Sequence, residues 1–85
     1  LNYSVFIEKK ARKEAANIPA KSRSLIDEMI LSLATNPRPT HAKKLTDKEG
    51  FRVRRGNYRI LYTIDDHHKT LIIYRIKIKG KTTYR

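Results

Sequence analysis

The chain has 85 residues, with 20 Lys and Arg against 8 Asp and Glu, a formal net charge of +12 and no cysteine. That length supports one small core, so a single domain over residues 1–85 is expected, and the missing cysteines exclude disulfide and thiol chemistry. The charge points to a polyanionic partner, nucleic acid first. No apolar run spans a bilayer and no helical pattern joins a broad apolar face to a basic one, so no membrane partner is expected. The first residues do not resemble a signal peptide, and the expected location is cytoplasmic.

Tyr3 to Glu8 alternates weakly and is rich in β-branched and aromatic residues, the pattern of a first strand with Val5 and Ile7 on one side. Lys9 to Asn17 carries Ala11, Glu14, Ala15 and Ile18 at helical spacing, and Asn17-Ile18-Pro19 stops it. Pro19 then suits the first turn of a second helix, whose stripe of Leu25, Ile26, Met29, Ile30 and Leu33 runs to the Asn36-Pro37 break. The two helices are expected to form an antiparallel pair. Between Asn36 and Gly50 only Ala42 and Leu45 anchor a stretch with two prolines and three lysines, which reads as a surface connection.

The block Phe51-Arg-Val-Arg-Arg-Gly-Asn-Tyr-Arg-Ile-Leu-Tyr62 follows, with alternation on both sides of a Gly-Asn turn. If Gly56 and Asn57 form the loop, Arg55 lies opposite Tyr58, Arg54 opposite Arg59, Val53 opposite Ile60, Arg52 opposite Leu61 and Phe51 opposite Tyr62. Phe51, Val53, Ile60 and Tyr62 then share one face, and Arg52, Arg54 and Arg59 the other. Like charges facing each other across a strand pair cost up to about 1 kcal/mol, so this chain has a use for concentrated positive charge or tolerates the cost. Asp65 to Lys69 supplies a turn, and Thr70 to Ile78 is a last strand. Simple alternation puts Leu71, Ile73, Arg75, Lys77 and Lys79 on one face and Ile72, Tyr74, Ile76 and Ile78 on the other. Tyr58, Tyr62 and Tyr74 are expected to pack in the core.

The order β-α-α-β-β-β, the Asn36-Pro37 break, Lys44-Leu45, the block from Phe51 to Tyr62 and the terminal Tyr84-Arg85 together resemble a toxin of the RelE/ParE superfamily over nearly the whole chain. The resemblance implies an α+β fold, a small mainly antiparallel sheet with two helices packed on one face, and the toxin role in a toxin–antitoxin pair. One branch of that superfamily cleaves mRNA in the ribosomal A site and the other acts on DNA gyrase. The RelE branch uses basic residues on the strand before the turn, an arginine after it, a basic residue near the C-terminus and a terminal tyrosine. The matching residues are Arg52, Arg54, Arg59, Lys79 with Lys81 as the alternative, and Tyr84. Retention of this set favours a ribosome-dependent endoribonuclease, independent of metal and cofactor. Its implied partners are a cognate antitoxin, the 30S A site with its mRNA, and operator DNA only through the antitoxin complex. A gyrase inhibitor without nuclease activity and a non-catalytic basic RNA-binding module remain the alternatives. The chain departs from the pattern at Ile78-Lys79, where a His-Arg pair is frequent, and at Arg54, where one type of member has lysine.

Cleavage without a metal requires attack by the 2′-hydroxyl, a proton acceptor for it, positive charge on the phosphorane and a proton donor for the leaving oxygen. Arg54 and Arg59 suit charge stabilisation and Arg52 positioning, because guanidinium groups grip phosphate bidentately and keep their protons. Lys79 is the candidate donor, and Tyr84 a candidate for base stacking or for accepting the 2′-hydroxyl proton. Arg55, Lys77, Lys81, Lys43 and Lys44 are expected to contact RNA, with Lys48 adding to the field. His67 and His68 beside Asp65 and Asp66 read as a solvated turn without a second ligand cluster. Among the three histidines, His41 is best placed by sequence to reach RNA, though surface exposure is the plainer reading.

Overall fold

Gly56 turns the arginine-bearing strand back on itself and sets the frame for the rest of the molecule. It takes a positive φ of 61° whereas Asn57 does not, the glycine-first turn whose twist suits a hairpin. The computed structural model describes residues 2–78. In it, β3 (Phe51–Arg55) and β4 (Tyr58–Asp65) pair antiparallel with every partner in the register counted from the sequence, from Phe51 opposite Tyr62 to Arg55 opposite Tyr58.

Around this hairpin, β1 (Ser4–Ile7), α1 (Lys9–Ala16), α2 (Ala20–Thr35), β2 (Lys43–Lys44) and β5 (Thr70–Ile78) complete a five-stranded sheet of order β1-β5-β4-β3-β2. The sheet is antiparallel except at one edge, where β1 runs parallel to β5 with Ser4 opposite Thr70 and Ile7 opposite Ile73. The expected α+β architecture is therefore present. Ala11 and Ile18, together with Ile26, Ile30 and Leu33 of α2, pack with Val53, Ile60, Tyr62, Leu71, Ile73 and Ile76 in one cluster. Each fully buried aliphatic side chain of this kind contributes about 1.5–3 kcal/mol. Leu25, at 40% exposure, falls outside the core that its place in the helical stripe suggested.

Three expectations are corrected. The stretch from Asn36 to Gly50 is not all connection, because Lys43 and Lys44 pair with Arg52 and Phe51 as β2. Two lysines carry no strand propensity of their own, and the neighbouring edge of β3 supplies the pairing. Both helices also pack on the sheet, α1 along β5 and α2 against β1 and β3, and Arg23 of α2 donates to the Ala15 carbonyl of α1 at 3.4 Å. On β5 the alternation is interrupted, since Leu61 faces Arg75 while the next residue, Tyr62, faces Ile73, leaving Tyr74 as an extra residue in a bulge. Leu71, Ile73 and Ile76 consequently share the core. Tyr74 leaves it, placing its ring 5.8 Å from Lys48 Nζ and its hydroxyl beside Gly50.

α1 also resolves a problem created by the short β1. Glu8 N–H donates to the Ile73 carbonyl at 2.9 Å, and beyond that point the edge of β5 has no strand beside it. The Glu14 carboxylate accepts the Ile76 N–H at 2.8 Å and the Arg75 Nε–H at 2.9 Å. Burial pushes this carboxyl up, but the bonds from Arg75 and Ile76, with the charges of Arg75 and Lys10, outweigh it and hold it below the usual range.

Candidate nucleic-acid interface

The face of the sheet opposite the helices collects the charge. Because partners across an antiparallel pair point the same way, Arg54, Arg59 and Lys77 form a continuous row over β3, β4 and β5. A second row begins with Lys43 on β2 and Arg52 on β3, about 7 Å along the strand from Arg54. Leu61 continues that row and is nearly buried, so the basic side chains flank an apolar floor. Among the described residues, Arg52, Arg54, Arg59, Lys43 and Lys77 form no salt bridge, whereas Arg38, Arg55 and Arg75 each do.

The Nε atoms of Arg52 and Arg59 are buried and have no hydrogen-bond partner among the described residues. An unpaired buried donor costs about 1–3 kcal/mol, and these two lie on the same charged face. The same row carries the repulsion between Arg54 and Arg59 noted above. The arrangement can bind phosphate at several points and stabilise added negative charge on one of them.

Other expected contributors lie elsewhere. Arg55 follows the apolar alternation onto the helix side and meets Glu28 of α2 at 3.7 Å. Lys44 is opposite Phe51, so it points to that side as well, with its Nζ 5.5 Å from the Phe51 ring. Arg75, which the register would set beside Leu61, is held by Glu14 at 2.8 Å. Lys79, Lys81 and Tyr84 lie outside the described residues. His68 Nδ1 is 2.8 Å from Asp65 within the turn after β4, and no cluster of potential metal ligands occurs among the described residues.

The residue that simple pattern reading undervalued is His41. It lines a concavity of about 510 Å³ together with Lys43, Arg52 and Arg54. Two anchors hold the segment that carries it. Tyr62 donates from its hydroxyl to the Pro37 carbonyl at 2.7 Å, and burial pushes that phenol up to about 12, which keeps it a donor. Arg38 makes a two-point contact with Asp66, at 3.3 and 2.9 Å, and Tyr3 donates to the same carboxylate at 2.6 Å. Those bonds, Arg38 first, hold the Asp66 carboxyl down at about 2. A turn closed by Ala42 N–H on the Pro39 carbonyl at 2.9 Å then presents His41 to the basic face. The sequence signal was its position two residues before Lys43, whose side chain shares the face of Arg52.

On the other side of β2, Leu45 N–H bonds the Gly50 carbonyl at 2.9 Å and closes the next loop. Gly50 has φ of 121°, and a Cβ there would lie 2.8 Å from the Tyr62 carbonyl oxygen, so only glycine lets this loop approach the sheet so closely.

Residues 5–81 match the family described as ParE toxin of type II toxin–antitoxin system, parDE. The chain is 35% identical over 75 residues to Toxin RelE of Mycobacterium tuberculosis (strain ATCC 25618 / H37Rv), covering 85% of this chain and 77% of the relative. It is 32% identical over 76 residues to Toxin RelG of the same strain, covering 87% of each. The crystal structure of the toxin–antitoxin complex RelBE2 from Mycobacterium tuberculosis superimposes with a TM-score of 0.82 at 32% identity, over 93% of this chain and all of that one.

Proposed function

Because the chain belongs to the ParE toxin family of type II toxin–antitoxin systems, within the RelE/ParE superfamily, we propose that it acts as a ribosome-dependent endoribonuclease of the RelE type. The observation that carries this reading is the row of Arg54, Arg59 and Lys77 beside Arg52 and Lys43. These charges are unpaired among the described residues and include two buried guanidinium donors without partners. Fixed positive charge at this density, not neutralised by carboxylates, suits the stabilisation of a phosphorane.

In this reading the mRNA lies across the basic face in the A site of the 30S subunit, which supplies most of the positioning. Arg52 and Lys43 hold the backbone, and Arg54 with Arg59 stabilises the charge that develops as the 2′-oxygen attacks the adjacent phosphate. Lys79 is assigned as proton donor to the leaving 5′ oxygen and Tyr84 to stacking on a base, both from the family pattern. The products are a 2′,3′-cyclic phosphate and a 5′ hydroxyl. A cognate antitoxin neutralises the protein, in line with the complex in which the RelBE2 relative was solved.

Primer extension on mRNA after induced expression tests the proposal. Ends that map within codons and disappear with Arg59→Ala support it, and end-group analysis identifies the cyclic phosphate. The family description also includes the name ParE, which favours gyrase inhibition as the second reading. Intact mRNA together with blocked DNA supercoiling would establish that reading and overturn the nuclease.

A further inference from the structure

Among the described residues, the basic face is built from cations. The guanidinium groups of Arg52, Arg54 and Arg59 are hydrogen-bond donors with no acceptor atom. The concavity bordered by Arg52, Arg54 and Lys43 is also lined by His41, whose neutral imidazole offers an acceptor nitrogen, and by no carboxylate. We infer that His41 is the general base that accepts the 2′-hydroxyl proton, an assignment that rests on the ribonuclease reading above.

Placement separates His41 from the other two histidines. His67 lies eight residues beyond Arg59 and past the end of β4, and the six steps from Arg59 to Asp65 alone cover about 20 Å at strand rise. His68 is held by Asp65 through both its backbone N–H and its ring. His41 instead projects from a turn tied to the sheet on the Tyr62–Pro37 and Arg38–Asp66 anchors, next to the β2 residue that pairs with Arg52. A base must be held within hydrogen-bond reach of the hydroxyl while neighbouring donors grip the phosphate, and a tethered turn beside the arginine rows meets both requirements. The charged groups facing it are Lys43 of β2 and Arg52 and Arg54 of β3.

The neutral imidazole takes the 2′-hydroxyl proton as O2′ forms its bond to phosphorus. The bond from phosphorus to O5′ breaks, and O5′ takes a proton from the ammonium donor proposed above. One proton is gained by His41 and one is lost by that ammonium, and exchange with solvent restores both. The arginines remain charged throughout.

The experiment uses the full chain and ribosomes programmed with a short mRNA, in single-turnover cleavage at saturating protein from pH 6 to 8.5. Toxin binding to the same ribosomes is measured in parallel. His41→Ala is expected to slow cleavage by about 10²–10⁴-fold with binding changed less than about 2-fold, and to lose the rise in rate with pH through the imidazole range. Added free imidazole is expected to restore part of the rate to His41→Ala and none to Arg59→Ala. A His41→Ala protein that cleaves at the original rate with the original pH profile overturns the assignment and leaves the nuclease reading intact. Equal losses in binding and cleavage without imidazole rescue also overturn it, reducing His41 to a phosphate contact. An unmodified chain that leaves ribosome-bound mRNA intact overturns both readings.

Discussion

On the helix-covered face of the sheet, Val53, Ile60, Tyr62, Leu71 and Ile73 are fully buried, while the opposite face of the same strands holds Arg52, Arg54, Arg59 and Lys77. Neighbours on one strand thus answer to different demands. Ile60 is surrounded by apolar groups that gain from its presence, whereas Arg59 faces another arginine and leaves a buried donor unpaired. The first face stabilises the fold, and the second stores unfavourable electrostatics that a bound anion would relieve. A surface this charged can be carried at that cost because the helix side provides the excess stability.

Ile60 and Arg59 give the sharpest way to break the comparison. Ile60→Ala is expected to destabilise the protein by about 2–5 kcal/mol in urea denaturation, through lost burial and the cavity left behind. Arg59→Ala is expected not to destabilise the fold, since it removes a facing like charge and an unpaired donor, and to reduce cleavage on programmed ribosomes by about 10²–10³-fold, the usual loss for one transition-state donor. Similar stability losses in both variants would show that the faces are not functionally divided.

Gly50→Ala tests the seam where the loop after β2 approaches the sheet. Its positive φ and the 2.8 Å approach of a Cβ to the Tyr62 carbonyl predict a loss of about 1–3 kcal/mol, read as a lower midpoint of thermal unfolding. On the basic face the sign should reverse. Replacing Arg54 with Thr removes the facing like charges, so stability is expected to rise by up to about 1 kcal/mol at low salt, with the gain shrinking as salt is added. A loss of stability would mean that the Arg54 stem packs more than its charge repels.

The smallest effect concerns the anchor of the His41 segment. The Asp66 carboxyl is held below its unfolded value by Arg38 and Tyr3, so its contribution is present above about pH 4 and is lost as pH falls towards 2. Asp66→Asn is therefore expected to lower the unfolding midpoint slightly at neutrality and to flatten its acid limb, the two proteins converging as pH falls towards 2. An unchanged acid limb would remove Asp66 as the titrating anchor.

The hairpin was legible because alternation, a Gly-Asn turn and a residue count are local facts, and they place Arg54 opposite Arg59 without knowledge of the remaining chain. The bulge at Tyr74 was not legible, since Leu71 to Lys77 reads as an uninterrupted strand. The insertion arises because β5 must place Ile76 against Ile60 while its other end matches β1. Arg55 illustrates the same division in the site. Its alternation already set it apart from Arg52 and Arg54, and the tertiary position of Glu28 gave it a partner.

By itself, then, the sequence determined the α+β class, the register of the central hairpin and the concentration of arginine on one face, all consequences of periodicity and turn chemistry over short spans. Tertiary structure alone decided that Lys43 and Lys44 become a strand, that Glu14 closes the open edge of β5, and that His41 stands beside the arginines. Each depends on groups far apart in the chain satisfying one another's hydrogen bonds or charge, and no local pattern encodes which distant partner arrives.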